Sequence, residues 1–401
     1  MRDAELADVV IRSGEGGVHS VEVTMLLVLT VLGCAKPPEG CGDTVADALP
    51  DTAPSSDTAP SSDTAPPEQA EAVVLRGAHL AGAGPLSGAV ADVRLEDGVI
   101  TALGAVSLEG AEVIDLDGRW LAPAFIDSHV HLSYRADAPG MLDGGVAVAV
   151  DLAAPMSSFE EDLSPLTLLR AGPMVTAIGG YPTQSWGSNG YGVQCAGAED
   201  AVAAVDGLHK AGATVIKLPI TGSAVLSEAA LMEAAAAAHE RGMKVASHAM
   251  SDADVAIAVA VGVDVLAHTP TASLSDATVS SLSDRAVVPT LAAFGGSTTA
   301  VDNLRRLHEA GAQVLYGTDF GNISTAGILS SELALMIEAG MSGDEILAAG
   351  TSGPADWWGL TGMGRIDIGS PASLLVLAED PSAEPLTLAE PEAVWIAGVQ
   401  R

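Results

Sequence analysis

The chain has 401 residues, 48% of them hydrophobic but only 3% aromatic, so it can bury a large core that Ala, Val, Leu and Ile must fill. Its 52 acidic residues face 17 basic ones, for a formal net charge of −35. That balance argues against nucleic acid as a partner, since displacing backbone counterions takes Lys and Arg, and against charge-driven docking on an anionic membrane.

Residues 1–34 read as a leader. The run MLLVLTVLG at 25–33 is far shorter than the roughly 20 apolar residues of a membrane span and has the length of a signal-peptide core. Val31-Leu32-Gly33-Cys34 resembles a lipoprotein cleavage box, which predicts lipidation at Cys34, export, and membrane attachment only through that anchor. The alternatives are plain secretion and an artefact of gene calling, with the true start downstream of Met1. Residues 35–70 repeat DTAPSSDTAPSSDTAP and hold almost no large apolar side chains, so they read as a disordered acidic tether with a reach of about 35 Å. Of the three cysteines, Cys41 lies in the tether and Cys195 far from it, which disfavours a bridge.

From residue 71 the pattern changes. AVVLRGAHL, ADVRLEDGVITALG and AEVIDLDG predict short strands parted by Gly and Asp turns, and RIDIGSPASLLVLAED and AVWIAGVQ repeat the pattern at the far end. Residues 71–118 and 365–401 are therefore predicted to form one small β-sandwich from both ends of the chain.

Between them, residues 119–364 alternate strands with Ala-rich amphipathic helices. Eight strands are predicted: AFIDSHVH, VAVAVDLA, PMVTAIGG, TVIKLP, KVASHA, VDVLAHT, AVVPTLAAF and VLYGTDF. A block of about 250 residues with this alternation predicts an α/β fold of the (β/α)₈ TIM-barrel type. Three helix ends share one form, closing on Gly212, Gly242 and Gly311 after His209, His239 and His308. A left-handed glycine cap with a basic group at the negative end of the dipole explains these histidines without a ligand role. Ser342-Gly-Asp-Glu345 reads as a capping box.

His129, His131, Lys217, His248, His268 and Asp319 each close one of the apolar runs, where barrels carry their chemistry. On a strand His129 and His131 point the same way and can hold one ion, with Asp127 behind them. Lys217 sits in Thr-Val-Ile-Lys-Leu-Pro, where an unpaired ammonium is costly unless it becomes neutral. A neutral amine can add carbon dioxide to give a carbamate that bridges two cations. The competing reading is a buried salt bridge. His248 and His268 end consecutive strands and can share a second ion. Asp319 ends the last strand, beside the first once a barrel closes.

At these residues the chain resembles the amidohydrolase superfamily, in its imidazolonepropionase-like and metallodipeptidase branch. The resemblance spans roughly residues 72–401 and includes Asp115-Leu-Asp-Gly-Arg-Trp-Leu-Ala-Pro-Ala-Phe-Ile-Asp-Ser-His-Val-His131, Gly317-Thr-Asp319 and Gly364-Arg-Ile-Asp-Ile-Gly-Ser-Pro-Ala-Ser-Leu374. Ala124 and Ser373 stand where the family usually has Gly and Asp. The resemblance implies two divalent ions, zinc by the donor set, that share a hydroxide and the carboxylated Lys217, with Asp319 moving the proton to the leaving group. The function it implies is hydrolysis of an amide or peptide C–N bond in a small molecule such as a dipeptide or an N-acyl or cyclic amide.

Three alternatives stand beside it. A mononuclear deaminase would lack Lys217 and place an acidic shuttle just after His248, where Asp252 is the nearest acid. A phosphotriesterase or lactonase would use the same ions. A surface lipoprotein could bind a ligand without turnover. Tyr134, Arg135, Tyr181, Trp186 and Thr221 are the candidate substrate contacts, Arg135 for a carboxylate. Composition and spacing leave the oligomeric state open.

Overall fold

The computed structural model describes residues 72–401, so the expected leader, the lipidation site Cys34, the tether and Cys41 lie outside the described residues. Among the described residues no helix is long and apolar enough to cross a membrane.

The two β-rich ends join. Ala72–Leu80 pairs antiparallel with Val90–Glu96, which turns into Val99–Gly104 through Asp97 and Gly98. Both turn residues have positive φ, 49° and 78°, as a tight two-residue hairpin requires. Ala397 and Gly398 repeat the device between Ala393–Ile396 and Val399–Gln400. The turns lie back to back, since a Cβ on Gly398 would meet Gly98 Cα at 3.1 Å. Leu374–Leu377 pairs antiparallel with both Ala393–Ile396 and Trp120–Pro123, so one eight-stranded sheet takes strands from both ends.

The predicted sandwich is thus one continuous hydrogen-bonded sheet. Ala72–Leu80 changes register between Leu75 and Ala78, at Gly77, and its edge serves two parallel partners in turn, Ala111–Asp115 and then Trp120–Pro123. Leu75, Val93, Ile100, Leu121, Leu374 and Trp395 form its own apolar cluster. Ala124 N donates to Ser373 O at 2.9 Å, so the two departures from the family pattern face each other at a seam of this sheet.

The middle of the chain is a TIM-barrel-like α/β arrangement. Phe125–Val130, Val146–Asp151 and Thr167–Arg170 form one parallel sheet. Val215–Pro219, Lys244–His248, Val265–Leu266, Ala286–Val287 and Gln313–Val314 form another. Backbone bonds join their margins: Thr214 N to Arg170 O at 3.0 Å, Ser128 N to Tyr316 O at 2.8 Å and Asp319 N to His129 O at 2.9 Å. Alternation sorts the side chains. Val215 and Ala246 belong to an inner cluster with Ile126, Val148 and Leu315, whereas Ile216 and Val245 pack in the main core with helix residues such as Leu231 and Ala234. Two residues further along the same faces stand Lys217 and His248.

Two predicted strands differ in partner or extent. Thr167–Arg170 pairs with Val146–Asp151, whereas Met174–Ala177, from the run PMVTAIGG, pairs parallel with Gly192–Cys195 in a separate two-stranded sheet. Gly172, at φ 68°, and Pro173, which has no N–H, break the ladder between them. AVVPTLAAF is a strand only over Ala286–Val287, because Pro289 and the positive φ of Thr290 (47°) turn the chain into a short 3₁₀ helix at Ala292–Phe294.

The local signals hold. Gly212, Gly242 and Gly311 have φ of 105°, 72° and 99°. Imidazole Nε2 of His239 lies 2.8 Å from Asp264 and that of His308 lies 3.1 Å from Glu345. Ser342 and Glu345 form the capping box.

Candidate metal centre

Strand ends bring three acceptors to one point. His129 and His131 are buried, and their Nε2 atoms lie 3.2 Å apart. Asp319 Oδ1 is 3.1 Å from Nε2 of His131 and 3.5 Å from that of His129. His129 Nδ1 is 2.7 Å from Ala267 O, which accepts its proton and leaves Nε2 with a bare lone pair. Ring nitrogens of His129 and His131 and a carboxylate oxygen of Asp319 therefore converge on one point, an arrangement that can hold a cation. Asp319 reaches the point from a left-handed backbone (φ 60°), a cost that surrounding bonds must offset. Burial pushes its carboxyl up, but His129, His131 and the Asn322 amide outweigh this and hold it at about 2.

Lys217, His248 and His268 complete the group. The His268 ring lies 4.6 Å from that of His129 and 4.7 Å from that of His248, centroid to centroid. Lys217 is fully buried, and its Nζ has no hydrogen-bond partner. Burial brings its amine down to about 7, against the pull of Asp319 and Asp151. Burial holds His129 and His268 well below the usual histidine range and His248 at about 3, and the Lys217 charge adds to each shift. The salt bridge considered for Lys217 is absent among the described residues.

Buried groups behind the centre hold it in place. Asp127 Oδ1 accepts from the backbone N–H groups of His129 (3.0 Å) and Thr318 (3.1 Å). Its other oxygen accepts the Thr318 hydroxyl at 2.6 Å. Asp151 accepts from Leu132 N and Ala153 N, bracing the chain beside His131. Thr290 Oγ1 lies 2.8 Å from His268 Nδ1, and Phe294 packs edge-on against the same ring. Sequence reasoning foresaw Asp127 but missed Asp151, Thr290, Thr318 and Phe294. Asp151 left a readable sign, an acid closing an apolar strand.

The candidate substrate contacts divide. The Tyr181 ring packs tilted against that of His248 at 4.8 Å, and the Trp186 ring tilted against that of His131 at 5.1 Å. Trp186 Nε1 donates to Tyr181 Oη at 2.8 Å, and the tyrosine's own proton has no protein acceptor among the described residues. Burial raises that hydroxyl to about 12, so it stays protonated. Tyr134 packs against Trp186 and Tyr191 from an exposed position. Arg135 is exposed, and its guanidinium has no ion pair or hydrogen bond among the described residues. Thr221 lies four residues beyond Lys217 and makes no side-chain hydrogen bond within the centre. Asp252 is turned to other work. It is the first residue of the helix Asp252–Ala260 and accepts from Ser275 N at 2.8 Å.

The donor set fits divalent cations. Imidazole and carboxylate suit zinc and its neighbours, and the Lys217 amine is among the buried polar atoms that the described residues leave without a partner.

Comparison with known proteins agrees with this geometry. An uncharacterized protein of Mycobacterium tuberculosis is 27% identical over 344 residues, 74% of this chain and 89% of the relative. Imidazolonepropionase of Caulobacter vibrioides is 43% identical over 54 residues, 11% of this chain and 14% of that enzyme. A Xaa-Pro dipeptidase crystallised with methionine in its active site superposes with a TM-score of 0.71 at 19% identity, over 82% of this chain and 99% of that one. The A. niger ochratoxinase gives 0.68 at 18% identity, over 83% and 96%. Residues 169–400 match the amidohydrolase family. The chain belongs to that family, and with it to the metal-dependent hydrolases.

Proposed function

We propose that the protein is a binuclear hydrolase of amide or peptide C–N bonds in small molecules, built on a closed (β/α)₈ barrel. In this reading His129, His131 and Asp319 would hold one cation, His248 and His268 would hold a second, and Lys217, as a carbamate formed with carbon dioxide, would supply a ligand to both. The observation that carries it is the buried, partnerless Lys217 amine brought down to about 7, where a neutral and reactive form is populated. When bound, divalent cations of the zinc type supply an acidified water and polarise the scissile carbonyl.

The chain's own residues do the rest. Asp319 is kept ionised by its histidine neighbours, so it can accept the proton of the attacking water and return it to the departing nitrogen. Tyr181 has a free hydroxyl proton beside His248 and donates it to the carbonyl oxygen as charge develops there. Trp186 and Tyr134 wall the mouth and exclude water. Arg135, exposed and next in sequence to Tyr134, would pair with a substrate carboxylate, as in a dipeptide or N-acyl amino acid. The deaminase alternative loses support, since Asp252 is engaged elsewhere and Lys217 is present.

The test is to purify the protein, measure bound metal, and assay dipeptides, N-acyl amino acids, lactones and phosphotriesters with and without chelator. Chelator-sensitive cleavage of an amide supports the proposal. Folded protein that stays metal-poor and inert after zinc and bicarbonate are supplied defeats it.

A further inference from the structure

We infer that Glu332 is a positioning residue for His268, acting through the turn that carries Thr290; this rests on the proposed two-cation reading. Glu332 lies in the first turn of the helix Ser330–Glu338 and is wholly buried. Its two oxygens accept from two successive backbone amides, Leu291 N at 2.8 Å and Ala292 N at 2.7 Å. Those amides follow Thr290 directly. Thr290 is also fully buried and is held at φ 47°, a conformation that a β-branched residue adopts only when its surroundings impose it. The double clasp by one carboxyl group is the imposing contact on the C-terminal side of the turn. On the other side, Thr269 N donates to Pro289 O at 3.1 Å.

The turn exists to serve the ring of His268. Its Thr290 Oγ1 sits 2.8 Å from Nδ1, and Phe294, at its far end, packs against the same ring at 4.8 Å. A histidine that binds a cation through Nε2 must carry its proton on Nδ1 and give it to a fixed acceptor, which sets both tautomer and ring angle. Thr290 is that acceptor, and Glu332 fixes where it stands. Glu332 touches neither the ring nor the place of a cation, so its action is indirect.

The experiment uses the full chain and Glu332→Gln, which keeps shape but turns a donor toward one of the two amides. In metal-free protein, ¹⁵N resonances of the His268 ring should show a single Nδ1–H tautomer in the wild type and a mixture in E332Q. On titration with cobalt(II), the variant should keep its first equivalent and bind the second about 10- to 100-fold more weakly. Thr290→Val keeps the branch but removes the acceptor. It should reproduce the loss, add nothing when combined with E332Q, and be rescued by Thr290→Ser. Equal weakening of both equivalents, full additivity of the two substitutions, or an unchanged tautomer would overturn the inference. A wild type that takes up a single cobalt defeats the two-cation reading, and the ring-nitrogen measurement then still decides the role of Glu332.

Discussion

Asp127 accepts the hydroxyl of Thr318 at 2.6 Å, across 191 residues of chain, and the same carboxylate takes the backbone N–H groups of Thr318 and His129. One acid thus fastens the last strand end to the first, next to the point where Asp319 meets His129 and His131. Thr318→Val removes a donor from a carboxylate that has no solvent access. It should destabilise the metal-free protein by about 1–3 kcal/mol. Urea unfolding in chelator measures it, and a change within about 0.5 kcal/mol would show that the clasp does not hold the seam.

Lys217→Met separates folding from function. A buried amine without a partner burdens the metal-free fold, and methionine fills nearly the same volume. The variant should gain about 1–4 kcal/mol of stability without metal while losing its second cation and its hydrolytic activity. Metal analysis and thermal unfolding check both halves. A less stable metal-free variant would mean that the amine has a compensating partner.

The candidate ligands were legible as a pattern because each closes an apolar run and a period of two sends Lys217 and His248 to the same face as Val215 and Ala246. The glycine caps at 212, 242 and 311 were legible because their signals are local. Glu332 and Thr290 were not. Their connection spans about forty residues and runs through backbone amides, which leave no mark in side-chain pattern. The partner of the strand in PMVTAIGG was not legible for a related reason. Thr167–Arg170 and Met174–Ala177 are equally strand-like, and only the Gly172-Pro173 break decides which one pairs with Val146–Asp151.

Trp186 tests the wall. It contacts His131, Tyr134 and Tyr191 and holds Tyr181 through one hydrogen bond. Trp186→Phe keeps the packing and drops that bond, so kcat should fall by about 10-fold with KM little changed. Tyr181→Phe removes the donor itself and should cost about 100-fold in kcat. Steady-state kinetics on the amide that turns over fastest reads both. A fall confined to KM would move Tyr181 from the reacting carbonyl to the periphery.

Buried Glu332 also predicts a pH dependence. Burial, with the charges of Asp127 and Asp319, raises its carboxyl from 4.5 to about 8 against the pull of the Leu291 and Ala292 amides. A raised acid binds its proton more tightly folded than unfolded. The stability it contributes is therefore complete below pH 4.5 and is lost as pH climbs toward 8. Relative to E332Q, metal-free wild type should lose up to about 1.4 kcal/mol per pH unit across that window and hold level above it. Denaturant melts of both proteins at matched pH in chelator provide the difference, which cancels the opposing titrations of the buried histidines. A difference that stays flat, or grows with pH, would show that this carboxyl is ionised throughout.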